Sequence, residues 1–222
     1  MNAPTLFAAR MPSITREATG LARISLDAPD AVRAAHTIAG QYLMWQPEGA
    51  EKPKPMALAN APGAPLELLV KDDAERFPSA GSTAQVTLPT GKGYPLDTIA
   101  GRRLLLVGTG SGIAPLVAVV RALLDDARGA KSVALLYGVK SDAHAAYADV
   151  RARARSAGFE IVLTATAPSS SSTRKGRVTA HLPAWLDEQT SVFVCGQREM
   201  MDEVTRAVVE RGVPADRVHK NF

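Results

Sequence analysis

An apolar run that ends in closely spaced glycines constrains the fold of this chain more than any other feature. Residues 104–108 read Leu-Leu-Leu-Val-Gly, as in a strand buried on both faces of a parallel sheet. Gly110 and Gly112 follow at once, and residues 114–127 have the apolar spacing of a helix. Glycines permit a tight turn and a close ligand, while a helix start offers free N–H groups and a positive dipole to phosphates. The sequence therefore predicts a strand, a phosphate-binding turn and a helix in succession, with Pro115 suited to the first helical turn.

Strands and helices go on alternating from this turn to the end of the chain. Strands are predicted at residues 132–137, 160–164, 192–195 and 217–220, and helices at residues 143–157 and 199–211. This alternation is typical of a doubly wound parallel sheet. Gly101-Arg102-Arg103 interrupts the pattern, which places a domain boundary near residue 99. We expect residues 100–222 to form a Rossmann-like α/β domain.

The first 99 residues follow a different pattern, in which short strand-like segments alternate with proline and glycine turns. Strands are predicted at residues 21–27, 41–46, 56–59, 66–71 and 83–88, with a brief helical turn at residues 31–35. Several short strands at this spacing are typical of a small antiparallel β-barrel or sandwich. The expected fold class is thus α/β and β, with an N-terminal small antiparallel β-barrel before the doubly wound parallel-sheet domain.

The charge and the cysteine content exclude several classes of function. The net charge is +4, but lysines and arginines are mostly interleaved with acids, and the 5% of aromatic residues form no stacking platform, so nucleic-acid binding is not supported. A basic pocket for a small phosphate-bearing ligand explains the same residues.

Cys195 is the single cysteine, which excludes an internal disulfide and a cysteine-built zinc or iron–sulfur site. The four histidines are dispersed without metal-ligand spacing, and no secretory leader or membrane span is visible, so we expect a cytoplasmic protein without a metal site.

Four motifs point beyond the general fold. The glycine spacing is not the G-x-G-x-x-G of common dehydrogenases, and no acidic residue closes the second strand, which ends at Lys140. The strings GTGSGIAPL (residues 108–116), LLYGVK (135–140), VFVCGQREMMDEV (192–204) and the ending GVPADRVHKNF together resemble the ferredoxin–NADP reductase superfamily. The resemblance covers the last 120 residues by motif and the first 100 mainly by architecture. LPTGKGYPL (88–96) also looks like the barrel exit of the electron-transfer subunits of dihydroorotate dehydrogenase.

The resemblance implies a fold that joins a flavin-binding barrel to a nicotinamide-binding domain, and it assigns residues to the dinucleotide. The residues that would hold the diphosphate are Gly108, Thr109, Gly110, Ser111 and Gly112. Cys195 and Gly196 look like the family's Cys-Gly pair, which places a thiol beside the nicotinamide ring. Taken alone, Cys195 is more simply a small buried hydrophobe that ends a strand, but Gly196 and the helix behind it favour the functional interpretation. In the same resemblance Gly91 and Gly93 of the barrel exit belong to the cofactor-binding set, and Phe222 occupies the region where some members place an aromatic over the flavin.

The flavin half departs from the family pattern. Members normally bind flavin with an R-x-Y-S strand, and the corresponding residues here are Lys54, Pro55, Met56 and Ala57. Lysine keeps the positive charge but loses the bidentate fork, methionine can still contact a ring face, and alanine cannot donate a hydrogen bond. An acidic turn at residues 72–75 replaces the family's glycine-and-hydroxyl turn, and acids repel a diphosphate. Two alternatives stay open: FAD or FMN is held by backbone contacts and Lys54, or the barrel has lost its flavin.

The choice between NADH and NADPH is also open. Members that use NADPH carry a Ser-Arg pair after the third strand of the α/β domain, where this chain has Thr-Ala-Thr-Ala (164–167), which slightly favours NADH. Arg174 and Lys175, together with Arg177, form a basic cluster that could reach an adenosine phosphate or lie in solvent. Lys140 is a further candidate for a phosphate contact.

Two functions follow from these observations. The first is a flavin-dependent NAD(P)H oxidoreductase or electron-transfer component, in which Cys195 lies near the reacting ring and electrons pass to a redox partner protein or a small acceptor. The second is a non-catalytic NAD(P)-binding or interaction subunit of the same fold without flavin. The intact glycine turn and Cys195-Gly196 favour the first, and the altered strand at residues 54–57 favours the second.

Overall fold

The computed structural model describes residues 5–72 and 77–221. In its first half the chain forms seven antiparallel strands and a short helix, α1 (Asp30–Ala35), which matches the predicted helical turn. The strands are β1 (Phe7–Arg10), β2 (Ile14–Ala18), β3 (Leu21–Leu26), β4 (Tyr42–Pro47), β5 (Lys54–Ala57), β6 (Leu66–Lys71) and β7 (Thr83–Val86). The sequence predicted the last five of these and missed β1 and β2.

These strands form two sheets that join at both sides into a barrel. One sheet has the order β1-β7-β4-β5, and the other has the order β2-β3-β6. Single bridges connect the two sheets at both sides. Arg10 of β1 pairs with Asp27, which follows β3, and Leu58, which follows β5, pairs with Leu68 of β6. Alternate residues fill the interior, and the side chains of Ile24 and Leu68 have no exposed surface. The predicted small antiparallel β-barrel is confirmed.

The second half is a parallel sheet of six strands in the order β11-β10-β9-β8-β12-β13. The strands are β8 (Arg103–Thr109), β9 (Ser132–Val139), β10 (Glu160–Ala165), β11 (Arg174–Lys175), β12 (Thr190–Cys195) and β13 (Val218–Lys220), and the helices are α2 (Ile113–Asp125), α3 (Ala148–Ser156) and α4 (Arg198–Val209). The strand order reverses between β8 and β12, which is the topological switch point of this kind of sheet. The predicted Rossmann-like domain is confirmed.

Helices cover both faces of this sheet. Leu104 and Leu106 of β8 belong to one apolar cluster together with α2 and α3. Leu105 and Val107, which point the other way, belong to a second cluster together with α4. The sheet is therefore doubly wound, as the alternating sequence pattern predicted.

One of these clusters continues into the barrel. Leu21 and Leu69, on the outer side of β3 and β6, are at most 6% exposed and belong to the cluster of Ile113 and Val117 in α2. Tyr94, in the connection that follows β7, is fully buried in the same cluster. The barrel thus packs on one helical face of the parallel sheet, and a single core spans the boundary proposed at residue 99.

The structure refines the sequence analysis at two places, the helix expected at residues 143–157 and the basic residues after the serine run. The helix expected at residues 143–157 is a short 3-10 turn (Asp142–His144) followed by α3, because Tyr147 has a left-handed backbone with φ of 58° and cannot lie inside a right-handed helix. Arg174 and Lys175, for which the sequence left a phosphate contact and a solvent position open, form an exposed two-residue edge strand beside β10.

Candidate cofactor-binding site

A cavity of about 1280 Å³ lies between the barrel and the carboxyl ends of the parallel strands. Its barrel wall contains Lys54, Met56 and Ala57 of β5 and the end of β6. Its opposite wall contains the turn that follows β8 and the end of β12, on both sides of the switch point. Because open α/β sheets bind ligands at this position, the cavity is the candidate site.

Two glycines of the turn after β8 have different physical roles. Gly110 has a φ of 54°, and no atom lies within 4 Å of the position that a Cβ would take, so its backbone faces open space in the cavity wall. Gly112 has ordinary helical backbone angles, but a Cβ there would lie 2.7 Å from the carbonyl oxygen of Cys195. The hydroxyl of Tyr137, on the neighbouring strand β9, donates to the carbonyl of Gly110 (3.0 Å) and restrains the turn. The turn is therefore open toward a ligand and tightly packed against β12.

Cys195 ends β12 directly beside the glycine turn, since its Cα pairs with that of Gly108. The side chain is 3% exposed although the residue belongs to the cavity wall. Burial raises the pKa of the Cys195 thiol to about 12, so the thiol stays protonated at neutral pH. Gly196 follows, and a Cβ there would lie 2.2 Å from the Thr109 hydroxyl oxygen and 2.5 Å from Met200. The site thus brings together an uncharged thiol and the glycine turn.

Three polar atoms at the cavity wall have no hydrogen-bond partner among the described residues. They are the hydroxyl oxygens of Thr109 and Thr164 and the indole N–H of Trp45, all buried. Buried polar groups are normally hydrogen-bonded, so unused donors and acceptors in a cavity wall favour a polar ligand. Thr109 and Thr164 lie on the dinucleotide side, and Trp45 lies on the barrel side.

The charge of the wall is positive. The charged residues among its described members are five cations and one acid: Lys52, Lys54, Lys71, Lys140, Arg177 and Glu51. Such a wall attracts the phosphates of a dinucleotide. Together with the open backbone at Gly110 and the free N–H groups at the start of α2, these residues fit a nicotinamide dinucleotide.

The barrel wall also fits a flavin better than the sequence motif suggests. Met56 contacts the barrel core and borders the cavity, and Phe77 does the same from the segment after β6. The expected repulsion from Asp72 is reduced, because its carboxylate lies 3.6 Å from the guanidinium of Arg16 and Asp72 is outside the cavity wall. Residues 73–75 of the acidic turn lie outside the described residues. An apolar surface with two lysines beside it, Lys54 and Lys71, suits a ring system that carries phosphate.

The structure brings some of the predicted site residues together and leaves others apart. The cavity wall includes these predicted residues: Lys54, Met56, Ala57, Thr109, Gly110, Ser111, Gly112, Cys195 and Gly196. Gly108 lies beneath the turn, where a Cβ would contact Leu116 at 2.8 Å. The predicted residues outside the wall are Gly91, Gly93, Arg174 and Lys175, whereas Arg177 lies in the wall. Phe222 lies outside the described residues.

Sequence reasoning missed the contribution of Trp45, Lys71 and Thr164 to the wall. Thr164 had a usable signal, since it lies near the carboxyl end of a predicted parallel strand. No sequence signal pointed to Trp45, because the closure of the barrel decides which face of β4 reaches the cavity.

Residues 5–72 and 77–221 contain neither a metal-binding cluster nor a membrane-spanning helix. No group of three or more His, Cys, Asp or Glu residues in these ranges could hold a metal ion. None of the helices there has both the length and the apolar character that crossing a bilayer requires.

Comparison with known proteins agrees with this geometry. The family model described as the oxidoreductase NAD-binding domain matches residues 106–206, which run from β8 through most of α4. The chain is 36% identical over 132 residues to the electron transfer subunit of dihydroorotate dehydrogenase B (NAD(+)) from Bacillus caldolyticus, a match that covers 59% of this chain and 46% of that protein. By these matches the chain resembles members of the ferredoxin–NADP reductase superfamily.

Solved structures of the superfamily extend the likeness to the whole fold. A cytochrome P450 reductase from Amycolatopsis is 25% identical with a TM-score of 0.85, over 99% of this chain and 70% of that one. A ferredoxin NADP+ reductase from Neisseria gonorrhoeae, solved with bound FAD and NADP, has a TM-score of 0.80 at 18% identity over the full length of both chains. The chain spans about half the length of the curated relatives it matches, from 44% to 52%. The resemblance predicted from the four sequence motifs is confirmed.

Proposed function

We propose that this chain is a flavin-dependent NAD(P)H oxidoreductase of the ferredoxin–NADP reductase superfamily and serves as an electron-transfer component. The observation that carries the proposal is the continuity of the cavity, whose wall runs from β5 of the barrel to the glycine turn and Cys195. When bound, NAD(P)H supplies a hydride, which FAD or FMN accepts. One cavity of about 1280 Å³ accommodates the reacting parts of both.

The protein contributes binding, orientation and exclusion of water. Backbone N–H groups of residues 110–112 and the positive end of α2 would hold the dinucleotide diphosphate. Cys195 and Gly196 would border the nicotinamide ring, and the small size of Gly196 leaves room beside Thr109. Since the Cys195 thiol is protonated, it would act as a neutral contact that positions the ring and not as a nucleophile.

The flavin side of the proposal rests on the barrel strands. Lys54 and Lys71 would neutralise the flavin phosphate, and Met56 would contact the ring in place of the usual tyrosine. The indole N–H of Trp45 offers a donor that the described residues leave unused. We retain Gly91 and Gly93, which lie outside the described cavity wall, as proposed members of the site, together with Phe222, which lies outside the described residues.

Electrons would leave to a redox partner protein or a small acceptor. The curated relatives include the reductase component of a naphthalene 1,2-dioxygenase/salicylate 5-hydroxylase system from Ralstonia and the dihydroorotate dehydrogenase subunit named above. Because these 222 residues hold one cysteine, an iron–sulfur centre in the same route would lie outside them. We propose a cytoplasmic location.

An absorption spectrum of the purified chain tests this function directly. The protein is incubated separately with excess FAD and FMN, desalted and reduced anaerobically with NADH or NADPH. We expect retained flavin bands that bleach with the preferred donor. A protein that stays colourless with both flavins yet binds a dinucleotide would establish the flavin-free subunit instead, an alternative that the names of the relatives do not favour.

The same cavity predicts the preferred dinucleotide. Lys140 and Arg177 lie in its wall. Asp142, the first acid after β9, is outside the wall, and its carboxylate accepts hydrogen bonds from Ser169 and Thr173, so a 2′-phosphate is favoured despite the missing Ser-Arg pair. We expect the double variant Lys140→Gln/Arg177→Gln to weaken binding of 2′,5′-ADP roughly tenfold or more, measured by titration calorimetry, and to change binding of 5′-ADP much less. Arg174→Gln/Lys175→Gln is the matched control, since it removes equal charge outside the wall. Equal affinity of the parent protein for the two ligands would contradict the prediction.

A further inference from the structure

A buried tyrosine between two arginines holds the two halves of the molecule together. Tyr147 has no exposed surface, and the guanidinium carbons of Arg23 and Arg121 lie 4.7 and 5.5 Å from the centre of its ring. Both distances are within the range of cation–π attraction. We call this group the Tyr147 clasp, and its members are Glu17, Arg23 and Glu67 of the barrel and Arg121, Tyr147 and Asp149 of the α/β domain.

Each arginine of the clasp is also held by acids. Arg23, from the barrel, lies 2.7 Å from Glu17 and 3.0 Å from Asp149 at the start of α3. Burial alone lowers the pKa of Arg23, but its hydrogen bond to Asp149 and the charges of Glu67 and Glu17 raise the pKa above its ordinary value. Arg23 therefore stays charged and links the two halves.

The second arginine, Arg121, belongs to the α/β domain and contacts the barrel. Arg121, from α2, lies 2.9 Å from the carboxylate of Glu67 and donates to the carbonyl of Ala59 (2.8 Å), both in the barrel. The contact is largely shielded, since the side chains of Arg121 and Glu67 are 21% and 17% exposed. Each half of the molecule thus places one arginine against the other half.

Tyr147 itself is restrained from two directions. Its backbone N–H donates to the carboxylate of Glu17, and its φ of 58° is a left-handed conformation that residues other than glycine rarely adopt. Burial raises the pKa of its hydroxyl far above the ordinary value, and Glu67 adds to this, so the ring stays neutral between the arginines. A residue kept in an unfavourable conformation by several contacts is typical of a functional constraint.

The clasp lies away from the cavity. None of its members is in the described cavity wall, and Arg121 lies eight residues beyond Ile113, the first residue of α2. At 1.5 Å per residue this is about 12 Å along the helix. Glu67 lies on β6, whose last residues, Leu69 to Lys71, border the cavity. A rotation about the clasp would therefore change the separation of the two cavity walls.

We propose that Tyr147 is a positioning residue that fixes the angle between the barrel and the α/β domain, and so the distance between the flavin and the nicotinamide. This inference rests on the proposed function for its chemical consequence. Its structural part, a fixed angle between the two halves, stands on the clasp contacts alone.

Two substitutions of Tyr147 distinguish the effect of its aromatic ring from the effect of filling the same space. Tyr147→Leu keeps an apolar side chain but removes the aromatic face, whereas Tyr147→Phe keeps that face. We expect Leu to slow flavin reduction at saturating NAD(P)H roughly tenfold or more in anaerobic stopped flow, because hydride transfer is sensitive to shifts of about 1 Å. Flavin and dinucleotide dissociation constants should change less than about threefold, and Phe should restore the parent rate. Arg23→Gln, which leaves the buried ring in place, should act in the same direction if the Leu variant folds poorly.

A distance measurement tests the angle without any cofactor. Spin labels on Ser79→Cys and Glu199→Cys, exposed residues on the two sides of the cavity, report the separation of its walls, and Cys195 is too buried to compete for label. We expect one narrow distance distribution in the parent and Phe proteins and a broadened or shifted one in the Leu and Arg23→Gln proteins. Unchanged distances and rates in both of the latter variants would overturn the proposal. Failure of the parent protein to take up flavin would overturn the proposed function only, because the distance measurement would still decide the role of Tyr147.

Discussion

Replacing Gly112 with alanine should raise the dissociation constant for the dinucleotide roughly hundredfold. The added Cβ would lie 2.7 Å from the carbonyl oxygen of Cys195, 2.8 Å from its carbonyl carbon and 2.8 Å from the Cα of Gly196. These are backbone atoms, so the clash cannot be relieved by rotating a side chain, and the glycine turn must move away from β12 by several tenths of an ångström. The displaced turn carries the N–H groups proposed to hold the diphosphate. Hydrogen bonds to a charged group contribute about 1.5–3 kcal/mol each, so losing one or two of them raises the dissociation constant roughly hundredfold.

Titration calorimetry with NADH and NADPH measures this effect, and thermal unfolding measures the cost of overpacking, which should be about 1–3 kcal/mol. Gly101→Ala is the control. Gly101 has a φ of 71° and no atom within 4 Å of its Cβ position, so alanine there introduces backbone strain without a clash. We expect the control to lose about 1–2 kcal/mol of stability with unchanged dinucleotide affinity. Parent-like affinity in Gly112→Ala would show that the turn does not bind the ligand.

Replacing Tyr94 with alanine should lower the free energy of unfolding by about 3–5 kcal/mol. The ring is fully buried and stacks on Phe193 of β12, with centroids 4.7 Å apart and planes 11° from parallel. Its hydroxyl donates to the carbonyl of Val194 (3.1 Å), and its backbone N–H donates to the carbonyl of Ala39 in the barrel (2.9 Å). Gly40 is closely packed against the same ring, since a Cβ there would lie 2.6 Å from it. Truncation would leave a cavity where the barrel meets the sheet.

Urea unfolding followed by tryptophan fluorescence measures this loss, because Trp45 lies in the barrel and Trp185 lies in the second half. Tyr94→Phe keeps the stacked ring and removes one hydrogen bond, so it should cost only about 1 kcal/mol. Similar losses for the two variants would mean that the hydroxyl, and not the ring, stabilises the contact.

The sequence predicted the parts of the molecule that local chemistry determines. The strand over residues 104–108, the glycine turn and the helix that follows depend on neighbours in the chain, and all three are present as β8, the turn and α2. The parallel sheet also follows from local alternation, because strands and helices that alternate along the chain usually form βαβ units with parallel strands. The family resemblance placed Cys195 beside the nicotinamide ring, and the pairing of β12 with β8 puts its Cα opposite that of Gly108, next to the glycine turn.

The sequence patterns did not predict contacts between segments that are far apart in the chain. Nothing near Tyr147 in the chain indicates that Glu17, 130 positions earlier, accepts its backbone N–H and that a predicted helix is divided there. The wall position of Trp45 depends on barrel closure in the same way. At residues 54–57 the sequence left retention and loss of the flavin as open alternatives, and the structure places all four residues in the wall of the cavity that reaches the glycine turn.

The core that runs through both halves limits how this chain can be taken apart or recombined. A fragment that begins at residue 100 would expose the apolar side of α2 that Leu21, Leu69 and Tyr94 cover, and the barrel alone would expose those three side chains to water. Exposed apolar patches of this kind promote association. The barrel of a relative could replace this one only if the face of α2 that packs against β3 and β6 were replaced with it. The two halves must therefore change together in evolution or in design.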